Sequence, residues 1–168
     1  DVVSGGELYR AIKGGADPKK IVFSGVGKRG DEIEYALKAG ILMFNVESSQ
    51  ELQAINEVAG RVGKKAPISI RVNPDIDPKT HPYISTGLKQ NKFGIDILRA
   101  PMAYQMAAQL PHLEVVGIDC HIGSQLVEVE PIVDALRKLK GLVENLRKVG
   151  MKIKYLDLGG GLGITYED

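Results

Sequence analysis

Short apolar runs alternate with stretches of helical periodicity along the whole chain, and this alternation constrains the fold more than any other feature. The runs are predicted strands, and they cover residues 2–3, 21–23, 42–46, 68–72, 115–120 and 153–158. Parallel strands need a helix-sized connection, so about six strands with helices between them predict a parallel α/β fold. We expect these strands to be apolar on both faces, as buried parallel strands are.

Two α/β folds compete for this pattern. A doubly wound sheet fits a chain of 168 residues, whereas a (β/α)8 TIM-type barrel takes about 250 residues. The chain opens within a predicted strand and closes directly after a glycine turn, and neither end is typical of a domain boundary. The sequence therefore favours an incomplete (β/α)8 barrel that is a piece of a longer protein.

Capping signals mark the predicted helices. Ser4 with Glu7, and Ser48 with Glu51, form the S-x-x-E pattern of a capping box. Pro101 and Pro131 suit the first position of two later helices. The helix that Pro131 opens is predicted to bury the stripe Ile132, Leu136, Leu139, Val143 and Leu146.

Composition narrows the class of protein. Acidic and basic residues are mixed and the net charge is +1, which argues against a nucleic-acid surface. The single cysteine, Cys120, excludes an internal disulfide, and its apolar surroundings predict a buried, inert thiol. No apolar run has the length of a membrane span and the start is not signal-like, so we expect a cytoplasmic protein.

Two predicted strands deliver polar or backbone groups at their carboxyl ends. Gly159, Gly160 and Gly161 follow one strand, where backbone N–H groups can cradle an anion such as a phosphate, or can simply make a tight turn. His121 and Ser124 follow the preceding strand. The histidine is either structural or a ring that stacks on a flat cofactor or carries a proton, and the serine either bonds a phosphate or starts a turn.

Other polar residues have weaker signals. Arg71 ends a strand, where it either meets an anion or pairs with Asp75 or Asp77. We expect the loop lysines Lys28, Lys89 and Lys92 to be solvated, and the three histidines have no metal-ligand spacing, so no metal site is predicted. The long polar segment from residue 73 to 95 is predicted to be a functional lid or disordered.

Four segments resemble one family. DVVSGGEL (1–8), THPYISTGLKQNKFGI (80–95), HIGSQ (121–125) and LDLGGGLGI (156–164) are similar to the diaminopimelate decarboxylases, which are pyridoxal-phosphate enzymes with an alanine racemase-like barrel. The resemblance covers essentially the whole chain. It implies the decarboxylation of meso-diaminopimelate to L-lysine, a homodimer and an amino-acid substrate. HxGS with GGG alone is also typical of ornithine, arginine and carboxynorspermidine decarboxylases.

The resemblance also implies roles for single residues. His121 would lie against the pyridine ring, Ser124 near the phosphate or the histidine, and Gly159, Gly160 and Gly161 would bind the phosphate. Arg71 would lie near the phenolic oxygen, and Asp1 near the lysine–cofactor linkage. The segment from residue 73 to 95 would lie over the active site.

The departures from the family pattern matter equally. The cofactor-anchoring lysine belongs to a segment upstream of Asp1, and the Glu-Pro-Gly-Arg segment and the C-terminal β domain belong after Asp168. We therefore expect residues 1–168 to be the central part of the cofactor-binding barrel. Such a piece is predicted to be inactive and poorly stable by itself, because an unclosed barrel exposes strand edges. A non-catalytic homologue that binds a protein partner is the alternative from another class.

Overall fold

The computed structural model describes residues 1–76 and 93–165. Within these ranges the α-helices are α1 (Gly5–Lys13), α2 (Gly30–Ala39), α3 (Ser49–Val62), α4 (Ala100–Gln109) and α5 (Glu130–Lys148). The strands are β1 (Val22–Phe23), β2 (Met43–Val46), β3 (Ala66–Asn73), β4 (Ile95–Asp96), β5 (Leu113–Asp119) and β6 (Tyr155–Asp157). Among the described residues, no helix is both long enough and apolar enough to cross a membrane.

Strand order decides between the two competing folds. β1, β2, β3, β5 and β6 are neighbours in that order, and all of these pairs are parallel. Val2 adds a parallel bridge to Phe23 at the free side of β1. Each new strand joins the same side of the sheet, whereas the strand order of a doubly wound sheet reverses at its switch point. The sheet is therefore part of a (β/α)8 barrel, as predicted.

Pro101 and Pro131 lie at the second position of α4 and α5, one residue later than predicted. The two serine caps are confirmed, with one difference in detail. Ser4 and Ser48 cap α1 and α3, and each hydroxyl accepts a hydrogen bond from the amide three residues later, at 3.2 Å. The glutamate carboxylates do not accept a hydrogen bond from the backbone N–H of the cap residue, as they would in a capping box. Glu7 accepts from Val3 N–H, and Glu51 accepts from Glu47 N–H, so each bonds the residue before the cap.

Two details of the sequence prediction were wrong. β4 was not predicted; this two-residue strand pairs with the end of β3. In α5 the buried stripe is Pro131, Ala135, Leu139, Leu142 and Leu146. Leu136 is 37% exposed, because the helix is rotated by about one residue relative to the predicted stripe. Most of the predicted lid, residues 77–92, lies outside the described residues.

The two faces of the sheet differ in polarity, which corrects the expectation of strands that are apolar on both sides. Phe44, Ile70 and Ile118 belong to the apolar core that the helices cover. The alternate positions on the same strands carry polar side chains, which hydrogen-bond to each other on the inner face of the partial barrel. These inner-face residues include Asn45, Glu47, Ser69, Arg71, Asp119 and Asp157. The polar face is where a ligand site can form.

Candidate functional site

A row of charged side chains crosses the inner face at the carboxyl ends of four strands. Arg71 of β3 is the register partner of Asp119 of β5, and Asp119 is the partner of Asp157 of β6. Glu47 follows β2 and accepts a hydrogen bond from Arg71 Nη1 at 2.7 Å. Because carboxyl ends of barrel strands carry the chemistry in such folds, this row marks the functional end of the sheet.

Asn45 of β2 hydrogen-bonds to side chains of β3 and β6 and to Ser24, the residue after β1. Its amide nitrogen donates to Ser24 Oγ and to Asp157 Oδ2, both at 3.0 Å. Its amide oxygen accepts from the buried Ser69 hydroxyl at 2.7 Å. All polar atoms of the Asn45 side chain are therefore used, which fixes the spacing between β2 and the distant β6.

Asp157 connects Asn45 to the glycine turn. Its Oδ1 accepts from Gly159 N–H at 2.8 Å, while Oδ2 accepts from Asn45. Asp157 therefore both points to the inner face of the sheet and caps the glycine turn. Gly160 N–H then donates to His121 Nδ1 at 3.3 Å, so the turn and the histidine predicted from separate strands are in contact.

The loops after β5 and β6 are also paired by their backbones. Leu126 N–H donates to Gly161 O at 2.8 Å, and Gly163 N–H donates to Leu126 O at 2.9 Å. The Gln125 side chain bonds both the N–H and the C=O of Ile164. This pairing holds the HIGSQ segment against the glycine turn.

His121 is a neutral base in this site. Burial lowers the pKa of the imidazole, and the nearby Arg71 charge lowers it further. Because Nδ1 accepts the Gly160 N–H, the ring proton of the neutral form lies on Nε2. A neutral, half-buried ring beside a backbone turn can stack on a flat ligand.

Arg71 has a different partner from the two aspartates considered in the sequence. Its guanidinium pairs with Glu47, whose side chain is 4% exposed, and also lies over the Phe93 ring, 5.8 Å from its centroid. Asp75 makes no ion pair with it among the described residues, and Asp77 lies outside them. Arg71 Nε and Glu47 Oε2 are buried without a hydrogen-bond partner in the described part of the chain.

Of the three loop lysines that were expected to be solvated, Lys89 and Lys92 lie outside the described residues. Lys28 is buried, contrary to that expectation. Its side chain is 1% exposed, and its ammonium donates to Glu51 Oε1 and to the carbonyls of Gly25 and Asn45, each at 2.7 Å. Cys120 is buried as predicted, and burial raises the pKa of its thiol to about 12.

The two remaining candidate residues, Ser124 and Asp1, are exposed. Ser124 is exposed on the loop beside Gly161, and no hydrogen bond of its side chain is seen among the described residues. Asp1 is exposed beside β1, to which its neighbour Val2 is bonded through Val22 O. The structure thus brings His121 and the glycines together and places Arg71 in the adjacent row, while no hydrogen bond joins Asp1 to them in the described part of the chain.

Sequence analysis missed Asn45, Glu47 and Asp119. A signal was present, because polar residues recur at every second position where these strands end, as in Asn45-Val46-Glu47 and Asp119-Cys120-His121. That period of two indicates one polar face.

The site has features that fit a phosphorylated, flat cofactor. A Cβ added to Gly160 meets no heavy atom within 4 Å, so free space borders the turn on that side. Gly161 N–H has no partner among the described residues. Arg71 retains an unpaired buried N–H donor in the same region of the sheet, which suits an anionic oxygen.

Comparison with known proteins gives the family. Residues 1–168 match the family described as "Pyridoxal-dependent decarboxylase, pyridoxal binding domain". Diaminopimelate decarboxylase of Pseudomonas aeruginosa is 58% identical over 168 residues, which are 100% of this chain and 40% of that protein. The enzyme of the same name from Aquifex aeolicus is 57% identical over 167 residues, 99% of this chain and 40% of that protein.

A solved structure supports the same family assignment. The crystal structure of diaminopimelate decarboxylase from Helicobacter pylori, complexed with L-lysine, superposes with a TM-score of 0.93 at 50% identity, covering 100% of this chain and 43% of that one. The chain therefore spans about 40% of the length of the curated relatives it matches. With its family match, its partial barrel and its histidine–glycine site, this chain belongs to the pyridoxal-binding domain family of the pyridoxal-dependent decarboxylases, whose cofactor is pyridoxal phosphate.

Proposed function

We propose that this chain is the central part of the cofactor-binding barrel of a diaminopimelate decarboxylase, which converts meso-diaminopimelate to L-lysine. The observation that carries the proposal is the contact between His121 and the glycine turn, with free space beside Gly160. The names of the relatives and the L-lysine bound in the Helicobacter pylori structure support this substrate.

The bound cofactor supplies an electron sink for the bond that loses carbon dioxide. Of the three glycines, Gly161 has an N–H without a partner among residues 1–76 and 93–165, while Gly159 and Gly160 donate to Asp157 and His121. We therefore assign the phosphate to Gly161 and Gly160 first. In this assignment, Gly160 N–H turns from His121 to the phosphate, and Gly159 N–H stays with Asp157 to fix the turn.

The remaining site residues are assigned to the pyridine ring, the phosphate and the lysine that holds the cofactor. The neutral ring of His121 orients the pyridine ring by stacking, and Arg71 offers to the phenolic oxygen its Nε–H, which has no partner among the described residues. Ser124 bonds the phosphate from the exposed loop, and Asp1 lies beside the lysine that holds the cofactor. That lysine and a C-terminal β domain belong to parts of the protein outside residues 1–168. The enzyme is proposed to be a cytoplasmic homodimer that acts on a small amino acid and binds no nucleic acid.

One experiment tests the proposal directly. The full-length gene product is incubated with pyridoxal phosphate, reduced with borohydride and mapped by mass spectrometry, and carbon dioxide release is measured with meso-diaminopimelate, ornithine and arginine. One modified lysine upstream of Asp1 and release from meso-diaminopimelate alone are expected. Release from ornithine or arginine instead would identify a related basic amino-acid decarboxylase. Absence of any adduct would leave a non-catalytic homologue that binds a protein partner.

The His121→Ala enzyme is expected to bind pyridoxal phosphate up to about tenfold more weakly, because a stacked ring pair contributes about 0.5–1.5 kcal/mol. Turnover should fall as well, since the pyridine ring loses its orientation. The measurements are the cofactor dissociation constant and kcat. His112→Ala is the matched control, because that histidine precedes β5 at the opposite end of the strand. Equal constants in the two variants would remove the proposed role of His121.

The Gly160→Val enzyme is expected to fold normally but to bind pyridoxal phosphate about 10–100-fold more weakly. This factor corresponds to the loss of one or two charge-assisted hydrogen bonds to the phosphate. The reason is that the added side chain enters the free space beside the turn, where no protein atom lies within 4 Å. Cofactor titration and thermal unfolding of the cofactor-free enzyme separate the two effects. An unchanged dissociation constant would contradict the phosphate assignment.

A further inference from the structure

Two carboxyl groups lie side by side beneath the glycine turn. Asp119 and Asp157 are register partners on β5 and β6, and adjacent strands lie about 4.8 Å apart. Both side chains belong to the inner face, and Asp119 is 4% exposed. Asp119 is also the last residue of β5, two residues before His121 in the chain.

The two carboxyl groups differ in their hydrogen bonds. Asp157 uses both oxygens, one for Asn45 Nδ2 and one for Gly159 N–H. Asp119 accepts no hydrogen bond and makes no ion pair in the described part of the chain. Its neighbour Arg71 directs Nη1 to Glu47 instead. Asp157 is therefore fully used as a hydrogen-bond acceptor, whereas Asp119 lacks, among the described residues, the hydrogen bonds that would stabilise a buried negative charge.

Electrostatics agree with this division. Burial raises the pKa of Asp119 to about 7, and the charge of Asp157 contributes to the rise. Adjacent carboxyl groups release their protons in two steps that belong to the pair. The charged and titratable groups that act on Asp119 from the surrounding elements are Lys28, Glu47, Arg71, Tyr104, Cys120 and Asp157.

We propose that Asp119 and Asp157 form a pair that holds one proton beneath the glycine turn, and that this proton controls how tightly the turn binds the cofactor phosphate. The inference rests on the phosphate assignment made above. With the proton in place the pair carries one negative charge, and without it two. The phosphate is itself an anion, so loss of the proton weakens its binding.

The sign of the pH effect follows. The proton is held at pH 6 and lost as the pH rises through the region of 7, so phosphate affinity falls over that range. Phosphate binding in turn favours the protonated pair, so binding near pH 8 takes up a proton from solution. Asp119→Asn keeps the size of the neutral carboxyl group and fixes the charge of the pair at one.

The test uses the full-length enzyme freed of cofactor and pyridoxine 5′-phosphate as the probe, because this compound has the phosphate but no aldehyde to react with lysine. Titration calorimetry at pH 6.5 and 8.5, in buffers of different ionisation enthalpy, measures both the dissociation constant and the protons taken up. Pyridoxine without phosphate is the control ligand. Asp119→Ser is a second neutral variant that keeps the test decisive if Asp119→Asn folds poorly.

For the wild type, affinity for pyridoxine 5′-phosphate should weaken about tenfold more between the two pH values than for Asp119→Asn. Proton uptake should shrink in the variant, and pyridoxine should show no such difference. Equal pH dependence in wild type and both neutral variants would overturn the proton pair while leaving the cofactor site intact. Failure of the wild type to bind either pyridoxine 5′-phosphate or pyridoxal phosphate would instead overturn the proposed function.

Discussion

Replacing Gly161 with alanine is expected to lower the free energy of unfolding of the cofactor-free enzyme by about 2–4 kcal/mol, from a left-handed backbone and overpacking together. Gly161 has a φ of +93°, and an added Cβ would clash with the Gly123 carbonyl oxygen. That oxygen belongs to backbone and cannot turn aside as a side chain can. The loops after β5 and β6 must therefore separate, which breaks their hydrogen bonds at Leu126.

Gly160→Ala is the matched control, one residue away in the same turn. Its Cβ meets no atom within 4 Å, so its stability should remain within about 0.5 kcal/mol of the wild type. Urea denaturation of both variants measures the difference, and hydrogen exchange at Leu126 and Gly163 shows whether the loops have separated. Equal stability of the two variants would mean that the loops accommodate a side chain at Gly161.

The second large effect is expected at Lys28. Lys28→Met should lower the free energy of unfolding by about 3–5 kcal/mol, the usual cost of removing one partner of a buried ion pair. The ammonium of Lys28, whose side chain is 1% exposed, donates to the carboxylate of Glu51 and to the backbone carbonyls of Gly25 and Asn45. Without it, the buried carboxylate of Glu51 and the carbonyl of Asn45 lose a donor.

Lys38→Met is the control, because Lys38 also pairs with a glutamate, Glu34, at 2.6 Å, but is 61% exposed. An exposed pair of this kind contributes about 0.3–0.5 kcal/mol. Denaturation of the two variants under the same conditions gives the comparison. A similarly small loss at Lys28 would show that water replaces its hydrogen bonds. The Lys28→Met,Glu51→Met double variant should recover part of the loss, because it removes the unpaired carboxylate as well.

Much of the fold follows from local signals. Ser4 and Ser48 cap their helices because a hydroxyl can reach an amide three residues later in any sequence context. Gly40 ends α2 with a φ of 73°, which glycine adopts freely. These interactions span a few residues, so a single chain is enough to predict them. The two-residue β4 has too little periodicity to be predicted in this way.

The site was predicted only in part, for a similar reason. His121 and the glycines follow apolar runs, so their position at strand ends could be inferred from the chain alone. The ion-pair partner of Arg71 could not be inferred from the chain alone. Glu47 lies 24 residues away, and it meets Arg71 only because β2 pairs with β3. Lys28 was expected in solvent, and its burial arises from a similarly distant contact with Glu51.

The sequence by itself determined the alternation of strands and helices, the helix caps and the glycine turn, because each depends on backbone geometry within a few residues. Tertiary structure alone decided which residues share the inner face of the sheet. The contact between Asn45 and Asp157 spans 112 residues, and the pairing of Asp119 with Asp157 requires the register of β5 and β6. Strand register depends on packing across the whole sheet, and a shift of one residue would turn these polar groups into the apolar core.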